Sequence, residues 1–101
     1  MAIEVTDAAD RHRFEAHSDG ELAGFIQYTD RPEALALVHT EVLDAFEGRG
    51  IGSVLVRHVL DSLRGRGRAI IPTCPFVAEY IRRHPDYVDL VAEPYRAAFQ
   101  R

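Results

Sequence analysis

Gly48, Gly50 and Gly52 alternate through "FEGRGIGSVLV", directly before an apolar run. Glycines at that density hold a backbone close to a neighbour. A turn that enters a helix aims unpaired N–H groups and the positive helix end outward, so the chemistry it offers is anion holding, above all of phosphate. Two other groups have reactive types. His39 and Glu41 alternate along an extended stretch, so they share a strand face and are candidate general bases. Cys74 is the only cysteine and stands just before a second helical pattern, as a polarisable nucleophile near a helix N-terminus. Two familiar phosphate loops are excluded. Gly52 is followed by Ser53-Val54 rather than Lys-Ser/Thr, and a G-x-G-x-x-G frame ends on Ser53 or on Leu55.

The elements that must position these residues follow from pattern. "RFEAHSDGELAGFIQYTD" reads as a β-hairpin about Asp19-Gly20, with Leu22, Ile26 and Tyr28 on one face. "TDRPE" is the next turn. Ala34–Leu43 is a strand with Leu35, Leu37, His39, Glu41 and Leu43 on one face, and "IEV" adds a short edge strand. After the glycines the period changes, and Ile51, Val54, Leu55, Val59 and Leu63 form a helical stripe that Gly65 and Gly67 end. Arg68–Cys74 is a strand, and "PFVAEYIRRH" is a helix with Pro75 at its start and with Phe76, Tyr80 and Ile81 as candidate buried residues. The stretch from Pro85 onward is a turn and a tail without a placed element. The expected fold is α+β (mixed α/β): a β-hairpin N-terminal half, then β-α-β-α, with parallel strands joined through a right-handed crossover.

The chain has 101 residues, with no linker, repeat or low-complexity tract, and reads as a single domain over 1–101. A net charge of −4 argues against nucleic acid as a partner. The cluster "RGRGR", Arg64 to Arg68, reads as a solvated helix end, with an anion contact as the alternative. No apolar run suits a membrane span and no signal pattern opens the chain. With its single cysteine, the expectation is a cytoplasmic protein, a monomer or weak dimer. His12, His17 and His58 read as solvent-facing or structural, His84 precedes a turn, and no spacing suggests a metal.

"EVLDAFEGRGIGSVLV" resembles motif A of the GNAT N-acetyltransferase superfamily, with Val42 at the strand position, Phe46 at the aromatic, and Gly50 and Gly52 at the two glycines. Glu47 departs, standing where the motif has Arg or Gln. "AEYIRRHPDY" resembles motif B, with Ala78, Ile81 and Tyr87 in place and Arg82 where the motif has the Tyr that protonates the leaving thiolate. "HTEV", "GRGIG" and "CPFVAEYIRRHP" together are similar to the minimal, roughly hundred-residue, single-domain members. The resemblance covers Phe14 to Leu90. It implies a mixed sheet splayed open between two parallel strands and acetyl-CoA as acyl donor. Val42 and Leu43 would pair with the pantetheine arm. Gly48, Arg49, Gly50, Ile51, Gly52 and Ser53 would hold the pyrophosphate, and Cys74, Phe76 and Tyr80 would line the site.

The implied reaction moves an acetyl group to an amine. Glu41 and His39 are base candidates, and Cys74 is either acylated or only lines the thioester. Few residues precede Arg13, where larger members carry two helices beside the acceptor, so a peptide or protein acceptor is expected. Two other readings stand beside this one: a CoA-binding module without turnover, and an interaction domain whose glycine turn is structural.

Overall fold

A computed structural model describes residues 2–99. Five strands form one sheet in the order β1-β2-β3-β4-β5: β1 Ile3–Ala8, β2 Arg13–Ser18, β3 Glu21–Asp30, β4 Leu35–Val42 and β5 Ile70–Pro72. The first four are antiparallel, and β5 joins β4 in parallel. The expected edge strand is present and is six residues long. Ser18 pairs with Glu21 across Asp19 (φ 50°) and Gly20 (φ 84°). Two positive φ angles in a two-residue loop make a type I′ turn, the geometry that Asp-Gly favours.

Helix α1, Ile51–Gly65, and helix α2, Pro75–Arg83, pack on one face of the sheet. On α1 the buried stripe is wider than the periodicity predicts: Val56 and Leu60 join Ile51, Leu55, Val59 and Leu63, while Val54 is only half-buried. These residues meet Phe14, Ala16, Ile26, Tyr28, Leu35 and Leu37 from β2, β3 and β4. On α2 the core residues are Val77, Ala78 and Ile81. Tyr80 is half-buried and Phe76 stays exposed, contrary to expectation, because it points along the loop side of the helix toward Gly52.

The segment after α2 is a 3-10 helix, Pro85–Leu90, followed by the short helix α3, Glu93–Arg96, and a last 3-10 turn, Ala97–Phe99. Val91 makes a parallel bridge to Ile70, and the Ala92 N–H donates to Ile70 O at 2.8 Å. The tail therefore covers the outer edge of β5. Each arginine of the cluster has an acidic partner while staying partly exposed. Arg64 pairs with Asp89 (2.9 Å), Arg66 with Asp7 (3.5 Å) and Arg68 with Asp30, which ties the end of α1 to three distant segments.

Glu15 is buried on the other face of the sheet, held by Arg13 (2.7 Å) and Arg11 (3.0 Å), with His17 at 3.7 Å. Burial raises its pKa, but the hydrogen bonds from Arg13 and Arg11 outweigh this and lower it overall. A carboxyl with a lowered folded pKa adds stability above its unfolded value and loses it as pH falls through the folded value. Glu15→Gln should therefore be less stable than the parent at neutral pH, and the gap should close in acid. Urea denaturation at pH 7 and near pH 3 checks this. A gap that persists in acid would mean that the loss is one of packing.

Candidate active site

The parallel pairing of β4 with β5 is brief. Leu35, Ala36 and Leu37 oppose Ile70, Ile71 and Pro72, and there it ends. The expected strand over Arg68–Cys74 shrinks to three residues. Thr73 and Cys74 then turn across the end of the pairing: the Cys74 N–H donates to Leu37 O at 2.9 Å, and Thr73 Oγ1 donates to the same oxygen at 2.9 Å. Beyond this point β4 runs on without a parallel neighbour, and a fork opens between it and the start of α2.

The same place on β4 carries an irregularity. Tyr28 opposes Leu37, but Gln27 opposes His39, so Val38 is an extra residue without a partner. Such a bulge interrupts the alternation of side chains. Thr40, opposite the buried Ile26, shares the core face with Leu37, whereas His39 and Glu41, opposite Gln27 and Phe25, lie on the other face. The expected common face for Leu35, Leu37, His39 and Glu41 is thus broken after Leu37. Main-chain directions follow from the same pairing. Leu37 O faces β5 and the Leu43 N–H donates to Ala23 O (2.9 Å), so Thr40 and Val42 turn their main-chain groups toward the fork. Leu43 has its N–H engaged on β3.

Cys74 lies at the apex of the fork as the N-cap of α2, buried, with Sγ 3.3 Å from Thr40 Oγ1. Thr40 is a candidate site residue that the sequence alone does not point to, since the bulge that brings it beside Cys74 has no local signature. The structure does not bring His39 and Glu41 to the thiol. They bond each other (3.2 Å) on the opposite face, each about half exposed, at 52% and 51%. Phe25 lies beside them, its ring centroid 6.2 Å from that of His39 and capped by the Arg13 guanidinium at 4.3 Å.

The glycine loop lies at the mouth of the fork. Gly48 (φ 78°) and Gly50 (φ 74°) are in the left-handed region, and Gly50 caps α1. The first intrahelical acceptor is Gly50 O, taken by the Val54 N–H (3.2 Å), so the N–H groups of Ile51, Gly52 and Ser53 precede the helical ladder. No acid stands in the first turn to offset the positive end. A Cβ at Gly48 or Gly50 would project into open space, with no atom within 4 Å, so the loop has a cradle with room above it. At Gly52 a Cβ would lie 2.8 Å from the tip of the Phe76 ring, which closes one side. Arg49 sits 5.4 Å from the Phe46 ring centroid and Glu47 is exposed. Such a donor set suits a phosphate or pyrophosphate.

Residues 13–90 match the family of GCN5-related N-acetyltransferases. The chain belongs to that family. Within it, the N-acetyltransferase-family chain is 39% identical over 66 residues to streptothricin acetyltransferase of Streptomyces lavendulae, a match covering 63% of this chain and 35% of the relative. A solved structure, ribosomal-protein-alanine N-acetyltransferase from Brucella melitensis biovar Abortus 2308, superposes with a TM-score of 0.53 at 28% identity, over 58% of this chain and 44% of that one. The matched part thus covers less than half of either relative. Acetyl-CoA is the co-substrate that the family implies, and the cradle at Gly48–Ser53 fits its pyrophosphate. No helix among the described residues is long and apolar enough to cross a membrane.

Proposed function

We propose that this chain is an N-acetyltransferase domain that moves an acetyl group from acetyl-CoA to an amine. The observation that carries the reading is the fork, with free helix N–H groups at its mouth and a buried thiol at its apex. When bound, the co-substrate supplies an activated acyl thioester. The N–H groups of Ile51 to Ser53 would hold its pyrophosphate, the main chain of Thr40 and Val42 would pair along the pantetheine arm, and Cys74 and Thr40 would line the reacting end. Phe76 and Tyr80 would flank the arm from α2.

His39 and Glu41 are the base candidates for the ammonium proton, directly or through water, for an acceptor that approaches from their own face of the sheet. Their exposure favours an acceptor presented on a peptide or protein. The relatives divide on this point, since one is named for streptothricin and the other for an alanine of a ribosomal protein. The single cysteine suits a reducing, cytoplasmic setting.

Two routes differ at Cys74. In direct transfer the amine attacks the thioester carbonyl and Cys74 only lines the site. In the covalent route Sγ forms the new bond to the acyl carbon, the bond to the CoA sulfur breaks, the thiol proton leaves with that sulfur, and an amine then takes the acetyl group. Intact-protein mass after brief exposure to acetyl-CoA without acceptor separates them: a removable acetyl adduct on Cys74 marks the covalent route. An amine and peptide panel tests turnover itself. Glu41→Gln and His39→Ala should lower kcat while CoA binding persists. Normal turnover in both variants would remove the base assignment. Binding without transfer to any acceptor would leave a CoA-binding module.

A further inference from the structure

The groove beside the glycine loop does not end there. Ser53, Phe76 and Tyr80 line a pocket of about 230 Å³ that shares Tyr80, Arg83 and His84 with a larger cleft of about 640 Å³ between α1 and the end of α2. The cleft adds Arg57, Asp61 and Arg64 from α1. Ser53 and Arg57 are one turn apart on the same helix face, about 5.4 Å along the axis. The floor is flat: the Tyr80 and His84 rings stack with centroids 4.0 Å apart at 19°.

The lining of the larger cleft has one more arginine than acid, on a molecule that carries −4 overall. Three arginines and His84 line the larger cleft with two aspartates. Asp61 already accepts from the Tyr87 hydroxyl (2.6 Å), and Arg64 is engaged by Asp89 and by Asp86 O. Arg83 has only an exposed pair with Glu79 (3.0 Å), and no ion pair among the described residues involves Arg57. Cations left at a groove that starts on a pyrophosphate cradle call for a second anion on the same ligand.

We infer that this cleft receives the 3′-phosphorylated ribose of the CoA nucleotide, with Arg57 and Arg83 as the phosphate contacts, so that the chain distinguishes CoA from 3′-dephospho-CoA. The inference rests on the acetyl-CoA reading above. One ribose separates the pyrophosphate from the 3′-phosphate, a reach comparable with the helix turn from Ser53 to Arg57. An arginine fork suits a terminal phosphate with its several oxygens.

Isothermal titration of the full chain with CoA and with 3′-dephospho-CoA at low salt tests this. The expected result is a Kd about tenfold weaker for dephospho-CoA, a gap that narrows as salt screens the contact. Arg57→Ala and Arg83→Ala should each weaken CoA while leaving dephospho-CoA unchanged. Equal affinities in the parent, or variants that weaken both ligands alike, overturn the inference and leave the acetyl-CoA reading intact. Binding of neither ligand overturns both.

Discussion

Gly50→Glu is expected to abolish the stabilisation that the proposed acetyl-CoA site predicts for the parent. A ligand at ~100 times its Kd stabilises the fold by about 2.7 kcal/mol, roughly 10–20 °C in melting temperature for a domain of this size. Gly50 holds φ at 74° with open space where a side chain would project. A glutamate there costs about 1–2 kcal/mol of left-handed strain. It also fills the cradle and sets a carboxylate against an incoming pyrophosphate. Gly50→Ala carries the strain without the charge, so it should melt lower than the parent yet still respond to ligand. The measurement is a thermal melt of the three proteins with and without acetyl-CoA. An undiminished shift in Gly50→Glu would place the ligand elsewhere.

Leu37→Ala should give the largest loss of stability, roughly 2–5 kcal/mol by the usual range for a buried Leu→Ala change. The side chain is wholly buried on the core face, while its carbonyl receives both Cys74 N–H and Thr73 Oγ1. The cavity would open at the root of the fork, at the last paired residue of β4 against β5. The neighbouring Val38 is 40% exposed, so Val38→Ala should stay within about 0.5 kcal/mol. Denaturant titration of both variants measures the contrast. A loss below about 1 kcal/mol in Leu37→Ala would mean that the root of the fork repacks.

Local signals carried the hairpin, both helices and the glycine loop into the sequence, because turn chemistry and helical periodicity are written in neighbouring residues. Asp19-Gly20 demands one turn type, and Ile51 to Leu63 repeat at helical spacing. What escaped depends on distant pairing. An extra residue at Val38 is visible only once Tyr28 and Gln27 are aligned against β4, so the face of His39 and Glu41 was misjudged and Thr40 was missed. The tail escaped for the same reason: Val91 is ordered by a bridge to Ile70, not by any pattern of its own. Arg64, Arg66 and Arg68 look like a solvent-facing run until Asp89, Asp7 and Asp30 are brought to them.

The surplus residue at Val38 gives β4 more contour length than the stretch of β3 it runs beside, and a bulged strand bends and twists at that point even though its pairing with β3 resumes at His39. The parallel ladder stops at Leu37, one residue before that surplus. The gap is therefore written into the covalent chain as a mismatch of lengths, and no hinge has to swing for it to exist. On the acetyl-CoA reading proposed above, the donor would enter a gap that the end of the β4–β5 pairing already provides. Its binding would then escape the ordering entropy of an induced opening, and its arrival would be limited by encounter and orientation.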